Sequence, residues 1–116
     1  MREGVVGLSW FYRAWFVEIR EEVVEPLAEV RVERDRVVIA VDLPGASRER
    51  VRVEAGEDYV LIEADGRVGG LGCRYRKLVR TPVKIDPSRV RARMVGGVLV
   101  VEAPLLRRTY REVKVE

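Results

Sequence analysis

Very few side chains in this chain are placed to do covalent chemistry. Cys73 is the only cysteine, Ser9, Ser47 and Ser88 are the only serines, and histidine is absent. A nucleophilic hydroxyl or thiol needs a base within hydrogen-bond reach, and the commonest base is missing. One cysteine without histidine cannot assemble a Cys/His zinc site, and it cannot form an internal disulfide. No glycine-rich loop follows a strand and opens a helix with lysine, so no phosphate cradle is indicated. The sequence therefore assigns no catalytic, cofactor-binding or metal-ligating residue, and the chain is not read as an enzyme. Without histidine, only the amino terminus and, marginally, Cys73 titrate near neutrality, which excludes a histidine pH switch. Cys73 reads as a small, half-buried strand residue.

The elements that carry these residues belong to one domain. At 116 residues, with 47% apolar and 35% charged side chains, the chain can bury a core and is neither a disordered tail nor a membrane span. The cations are 19 arginines against 3 lysines, and there is no asparagine or glutamine. Charge abundance without thermolabile amides fits a thermophile. Arg13 interrupts the first apolar run and no small-residue cleavage site follows it, so an unexported protein in a reducing cytoplasm is expected.

Three regions differ in period. In residues 1–25, Leu8, Phe11, Tyr12, Trp15, Phe16, Ile19 and Val23 recur at three- and four-residue steps, the mark of an amphipathic helix that ends before Pro26. This segment also holds Trp10, and with it five of the eight aromatic residues. Its charge of −2 argues against an anionic membrane surface. An apolar stripe of this kind, Trp10, Phe11, Tyr12, Trp15, Phe16 and Ile19, suits contact with other chains.

Residues 26–104 change to a period of two. AEVRVE, RVVIAVDL, RVRVEA, YVLIEA, CRYRKLV, VRARMV and VLVVEA predict seven strands. LPGASRER at 43–50, DGRVGGLG at 65–72 and TPVKIDPS at 81–88 read as the longer loops, with Pro44, Pro82, Pro87 and Pro104 between strands. Gly96-Gly97 between two apolar runs predicts a two-residue hairpin. Val37, Ile39, Val41 and Leu43 share one face, and Val90, Ala92 and Met94 oppose Arg89, Arg91 and Arg93. One buried and one wet face per strand predicts an all-β, immunoglobulin-like antiparallel sandwich. The alternating arginines, balanced to a net charge of +3, read as solvated strand faces and not as a nucleic-acid footprint. Residues 105–116 form a tail in which Val113 and Val115 point to one side when extended.

Ala92, Gly97, Val98 and Leu99 resemble the A-x-x-x-n-G-V-L signature of the small heat-shock protein (alpha-crystallin) family, with Gly96 where that family usually has asparagine. Leu43-Pro44-Gly45, the run YRKLVRTP at 75–82 and the final Val113-Lys114-Val115 stand in the family's order, Lys77 taking a position where an arginine is typical. The resemblance implies an ATP-independent holdase that binds unfolding client proteins and assembles with itself through the amino-terminal segment and the tail. It implies that Val113 and Val115 dock in a groove of a neighbouring protomer carrying Val51, Val53, Val90 and Ala92. A monomeric or dimeric co-chaperone or regulatory module on the same sandwich, as in the CS-domain family, is the alternative.

The chain departs from the family at residues 65–72. Many microbial members carry an extra strand there that pairs with the partner subunit. Here the stretch is eight residues with four glycines, too short to cross to a partner and return. A plain hairpin is expected, with dimerisation through the CRYRKLV edge and the aromatic segment instead.

Overall fold

The computed structural model describes residues 22–107 and 113–116. The expected amphipathic helix, with Trp10, Phe11, Tyr12, Trp15, Phe16 and Ile19, lies outside the described residues up to position 21. The strands are β1 (Glu22–Val24), β2 (Ala28–Val32), β3 (Arg36–Asp42), β4 (Ala46–Ala55), β5 (Tyr59–Val68), β6 (Leu71–Arg80), β7 (Arg91–Val95) and β8 (Val98–Pro104). A single 3-10 turn, Pro87–Arg89, precedes β7.

They form two four-stranded sheets, ordered β1-β6-β5-β4 and β2-β3-β8-β7. Val37, Ile39 and Val41 register against Ala103, Val101 and Leu99 on the inner face of one sheet, and Val60, Ile62 and Ala64 line the other. Full burial of each such valine or isoleucine is worth roughly 1.5–3 kcal/mol before entropy. Alternation of buried and wet side chains is thus met by a second sheet that covers the apolar face, as the period of two requires.

Both glycine pairs form two-residue hairpin turns, the one at Gly96-Gly97 as expected. Val95 pairs with Val98 around Gly96 and Gly97, at φ of 54° and 82°, and Val68 pairs with Leu71 around Gly69 and Gly70, at 61° and 82°. Positive φ at both central residues matches the twist of the flanking strands. The chain crosses between sheets at Leu43–Ala46, where the Ala46 N–H donates to the Leu43 carbonyl at 3.1 Å and Gly45 sits at φ 80°. Proline then glycine at the centre of such a turn is the type II preference.

Six expectations change. The described residues form eight strands and not seven, because Glu22–Val24 pairs in parallel with Cys73–Tyr75 of β6. Val23 therefore belongs to a strand and not to the helical stripe; two β-branched residues shortly before Pro26 favour extended backbone, and the open edge of β6 accepts them. β4 begins at Ala46, inside the stretch read as loop, with a register shift between Ala46 and Val51. Most of the 65–72 stretch is strand, paired within the chain as Asp65↔Arg74 through Val68↔Leu71, and only Gly69 and Gly70 turn. Pro104 ends β8 instead of following it, opposite Arg36; its missing N–H faces the side on which β7 has already ended. Ile85, in the stretch read as loop, is fully buried and bridges to Leu105.

Candidate functional site

Parity along the strands decides which side chains reach the two flanks of the sandwich. β4 and β7 are the last strands of their sheets and lie against each other. Val51 and Val53 register with Ala64 and Ile62, so they face inward. Ala92 and Met94 register with Val101 and Leu99 and also face inward, from the other sheet. Val51, Val53, Val90 and Met94 are half-buried against the core, whereas Ala92 is exposed. These apolar side chains are left partly uncovered along the flank by the described residues. The structure places Val51, Val53, Val90 and Ala92 on this one flank; Met94, next in the same alternation, was not assigned to the groove from sequence.

The tail leaves the sandwich beyond Leu105 and Leu106, the latter held by its N–H donating to the Lys84 carbonyl at 3.0 Å. Val113 and Val115 are 77% and 90% exposed. Two β-branched side chains two residues apart on an extended segment present one apolar side, and none of this chain's described residues covers it.

The signature residues serve the same flank. Gly97 closes the β7–β8 hairpin and its carbonyl accepts from the Leu43 N–H at 2.9 Å. Leu99 is buried and Val98 half-buried, so the turn fixes β7 over the core and leaves Ala92 at the rim.

The opposite flank is built from β1, β2 and β6. The Lys77 ammonium donates to the Glu25 carboxylate at 2.6 Å, closing the end of β1 onto β6. Hydrogen bonding and attraction from Lys77 hold the Glu25 carboxyl below its ordinary range. Among the described residues β2 has β3 on one side only. Val30 and Val32 register with Ile39 and Val37, hence face inward, yet stay 41% and 49% exposed. The opposing strand β1 is three residues long, too short to roof them.

Titratable groups outside these flanks act structurally. The Tyr75 hydroxyl donates to the Pro44 carbonyl at 2.6 Å, and burial, reinforced by hydrogen bonding with Cys73, pushes it up to about 12. Cys73 is half-buried and packs against the core. Arg36 lies between Glu33 at 2.9 Å and Glu102 at 3.2 Å, and Glu63 accepts from both Arg52 and Arg76 at 3.3 Å. Hydrogen bonding from Arg36 lowers the Glu33 carboxyl. Among the described residues no group of histidine, cysteine, aspartate and glutamate is arranged to hold a metal ion, and no helix is long and apolar enough to cross a membrane.

Comparison with known proteins agrees with this geometry. The model of the Hsp20/alpha crystallin family matches residues 29–116. A chloroplastic small heat shock protein of Pisum sativum is 28% identical over 99 residues, covering 76% of this chain and 43% of its own length. A mitochondrial 23.5 kDa heat shock protein of Arabidopsis thaliana is 28% identical over 113 residues, covering 91% of this chain and 48% of its own. The chain thus spans under half the length of these relatives. Heat shock protein 16.0 from Schizosaccharomyces pombe superposes with a TM-score of 0.64 at 22% identity, over 80% of this chain and 99% of that one. The Del-C4 mutant of hsp14.1 from Sulfolobus solfatataricus P2 gives 0.62 at 24% identity, over 72% and 78%. At these identities the superpositions establish the sandwich fold.

Proposed function

The chain belongs to the Hsp20/alpha crystallin family, a family of small heat-shock chaperones, and from that premise we propose that it is an ATP-independent holdase whose protomers are linked by the tail. The observation that carries this reading is a complementarity between two uncovered surfaces. Val113 and Val115 stand exposed on the tail, and Val51, Val53, Val90, Ala92 and Met94 leave an apolar cleft uncovered between β4 and β7. Burying the two valines of one protomer in the cleft of another yields roughly 3–6 kcal/mol before ordering costs. A link of that size is reversible, so subunits exchange and apolar surface is released when clients unfold.

The aromatic segment, with Trp10, Phe11, Tyr12, Trp15, Phe16 and Ile19, is the surface offered to clients in this reading. A holdase stabilises a client by mass action on its unfolded form and has no reacting atoms to place. The proposal therefore includes no catalytic residue and no cofactor, and it keeps the cytoplasm as the site of action. The test is light scattering of a heat-denatured model substrate without nucleotide. Scattering is suppressed near equal mass of chaperone and substrate; unchanged scattering from a folded full-length protein returns the chain to the co-chaperone reading.

A further inference from the structure

We propose that β2 is a self-pairing edge, through which two copies of this chain join antiparallel about Val30 and run their β2-β3-β8-β7 sheets into one. This goes beyond the holdase reading and does not depend on client binding.

Backbone direction comes first. The Asp42 N–H donates to the Leu27 carbonyl at 3.0 Å and the Glu33 N–H to the Arg36 carbonyl at 2.8 Å. With β2 and β3 registered from Ala28↔Val41 to Val32↔Val37, residues 27, 29, 31 and 33 turn their polar groups toward β3. Ala28, Val30 and Val32 turn theirs outward, and no strand among the described residues receives them. A two-fold axis at Val30 sets Val30 opposite the partner's Val30 and Ala28 opposite the partner's Val32. Those are the outward-facing residues, so every N–H and C=O along the edge finds a counterpart.

Side chains fit the same register. On the inner face, Ala28, Val30 and Val32 meet their partner copies and cover the valines that the short β1 leaves open. On the outer face, Glu29 lies opposite the partner's Arg31 and Arg31 opposite the partner's Glu29, the closer, non-hydrogen-bonded kind of pair. Among the described residues Arg31 makes an exposed contact to Glu33 at 3.3 Å, which costs little to exchange.

Other edges are less suited. The β6 edge already carries β1 from Cys73 to Tyr75, with the Glu25–Lys77 pair beyond it. A two-fold about Ala92 of β7 would oppose Arg91 to the partner's Arg93, and β4 presents Arg48, Arg50 and Arg52. Like charges facing each other across a strand pair are destabilising.

The test is register-specific and uses the full chain with Cys73→Ser. Chains carrying Glu29→Cys and chains carrying Arg31→Cys are coexpressed and mildly oxidised. Opposed Cα atoms in a non-hydrogen-bonded pair lie about 4.5 Å apart, within disulfide reach, whereas same-residue pairs are offset to about 7–8 Å. Mixed chains are expected to cross-link several-fold faster than either chain alone. Adding Val30→Pro, whose lost N–H bonds nothing within the chain, should abolish that product with far-ultraviolet circular dichroism unchanged; if Val30→Pro unfolds, Val30→Asp takes its place. Equal rates for mixed and single chains, or a cross-link that survives these variants, overturn the proposal. Loss of client protection by Val30→Pro without any mixed cross-link also overturns it, and gives the edge to an extended client strand.

Discussion

The two flanks of the sandwich lack cover in different ways. At the β4–β7 flank the missing partner is a set of side chains: inward-facing Val51, Val53, Ala92 and Met94 border a cleft between sheets. At the β1–β2 flank the missing partner is backbone, since Ala28, Val30 and Val32 send their polar groups outward along an unpaired edge. Hydrophobic contact tolerates small shifts, whereas a hydrogen-bond ladder admits only discrete registers. The first flank suits a short, exchangeable tail and the second a fixed, symmetric neighbour. If both proposed contacts form, one sandwich separates a loose contact from a stiff one.

The largest change is expected from the turn on which both flanks depend. A Cβ at Gly45 would lie 1.9 Å from the Arg67 carbonyl oxygen, at a φ of 80°. Gly45→Ala is expected to cost roughly 3 kcal/mol or more, because neither backbone nor φ can give way. Urea unfolding measures it; an unshifted midpoint would mean that the crossover relaxes freely and the flanks are not coupled through it.

Next is a change confined to one flank. Val113→Ser with Val115→Ser should lower the native mass while the unfolding midpoint stays put, since these side chains are largely exposed in the chain. A particle of unchanged mass removes the tail as linker and, with it, the contrast between loose and stiff contacts. A smaller effect tests the stiff side. Glu29→Arg should weaken dimers at low salt, and the double variant Glu29→Arg with Arg31→Glu should restore them, each opposed charge pair contributing roughly 0.2–1 kcal/mol. Dimer dissociation by analytical ultracentrifugation, with tail variants as background, reads both.

Tyr75→Phe removes the hydroxyl that holds the Pro44 carbonyl at 2.6 Å and is expected to cost about 1–2 kcal/mol. An unaltered melting temperature would show that the turn is held by Gly45 alone. The smallest effect is on acidity. Glu25 has its carboxyl lowered by Lys77, so its contribution is present above the ordinary carboxylate range and is lost as pH falls through the lowered value. The protection of the Val23 and Val24 amides, taken relative to the intrinsic exchange rate at each pH, should fall in that acid range, and Glu25→Gln should remove the dependence. If the wild type shows no change, β1 is held by its ladder and not by the ion pair.

Much of this was legible from the residues. Strict alternation named the inner face of β3 through Val37, Ile39 and Val41, and that of β7 through Ala92 and Met94, because a sheet with one buried face cannot slip by one residue without exposing its core. Val51 and Val53 were named only through the family resemblance, and it is the register of β4 with β5 that sets them on an inward face. β1 was not legible: Val23 also fits a helical period, and only the open edge of β6 makes three residues a strand. Residues 65–68 and 71–72 read as loop from their glycines, although a long paired hairpin carries them as strand. Ile85 showed no period at all, since it enters the core from outside a named strand, held by its bridge to Leu105 and by its N–H donating to the Glu57 carbonyl at 2.8 Å. Which backbone groups of β2 face outward depends on the phase of its ladder with β3, and composition holds no trace of that phase.

β1 also has a consequence in time. It pairs with residues made about fifty positions later, and at a ribosomal pace of about 5–20 residues per second its docking strand arrives several seconds behind it. The β5–β6 hairpin, closed by a two-residue turn, forms locally and soon. The amino-terminal strand is therefore the late addition to a sheet already assembled. A nascent chain halted before Cys73 should leave Glu22–Val24 open to proteolysis, and release past Arg80 should protect it.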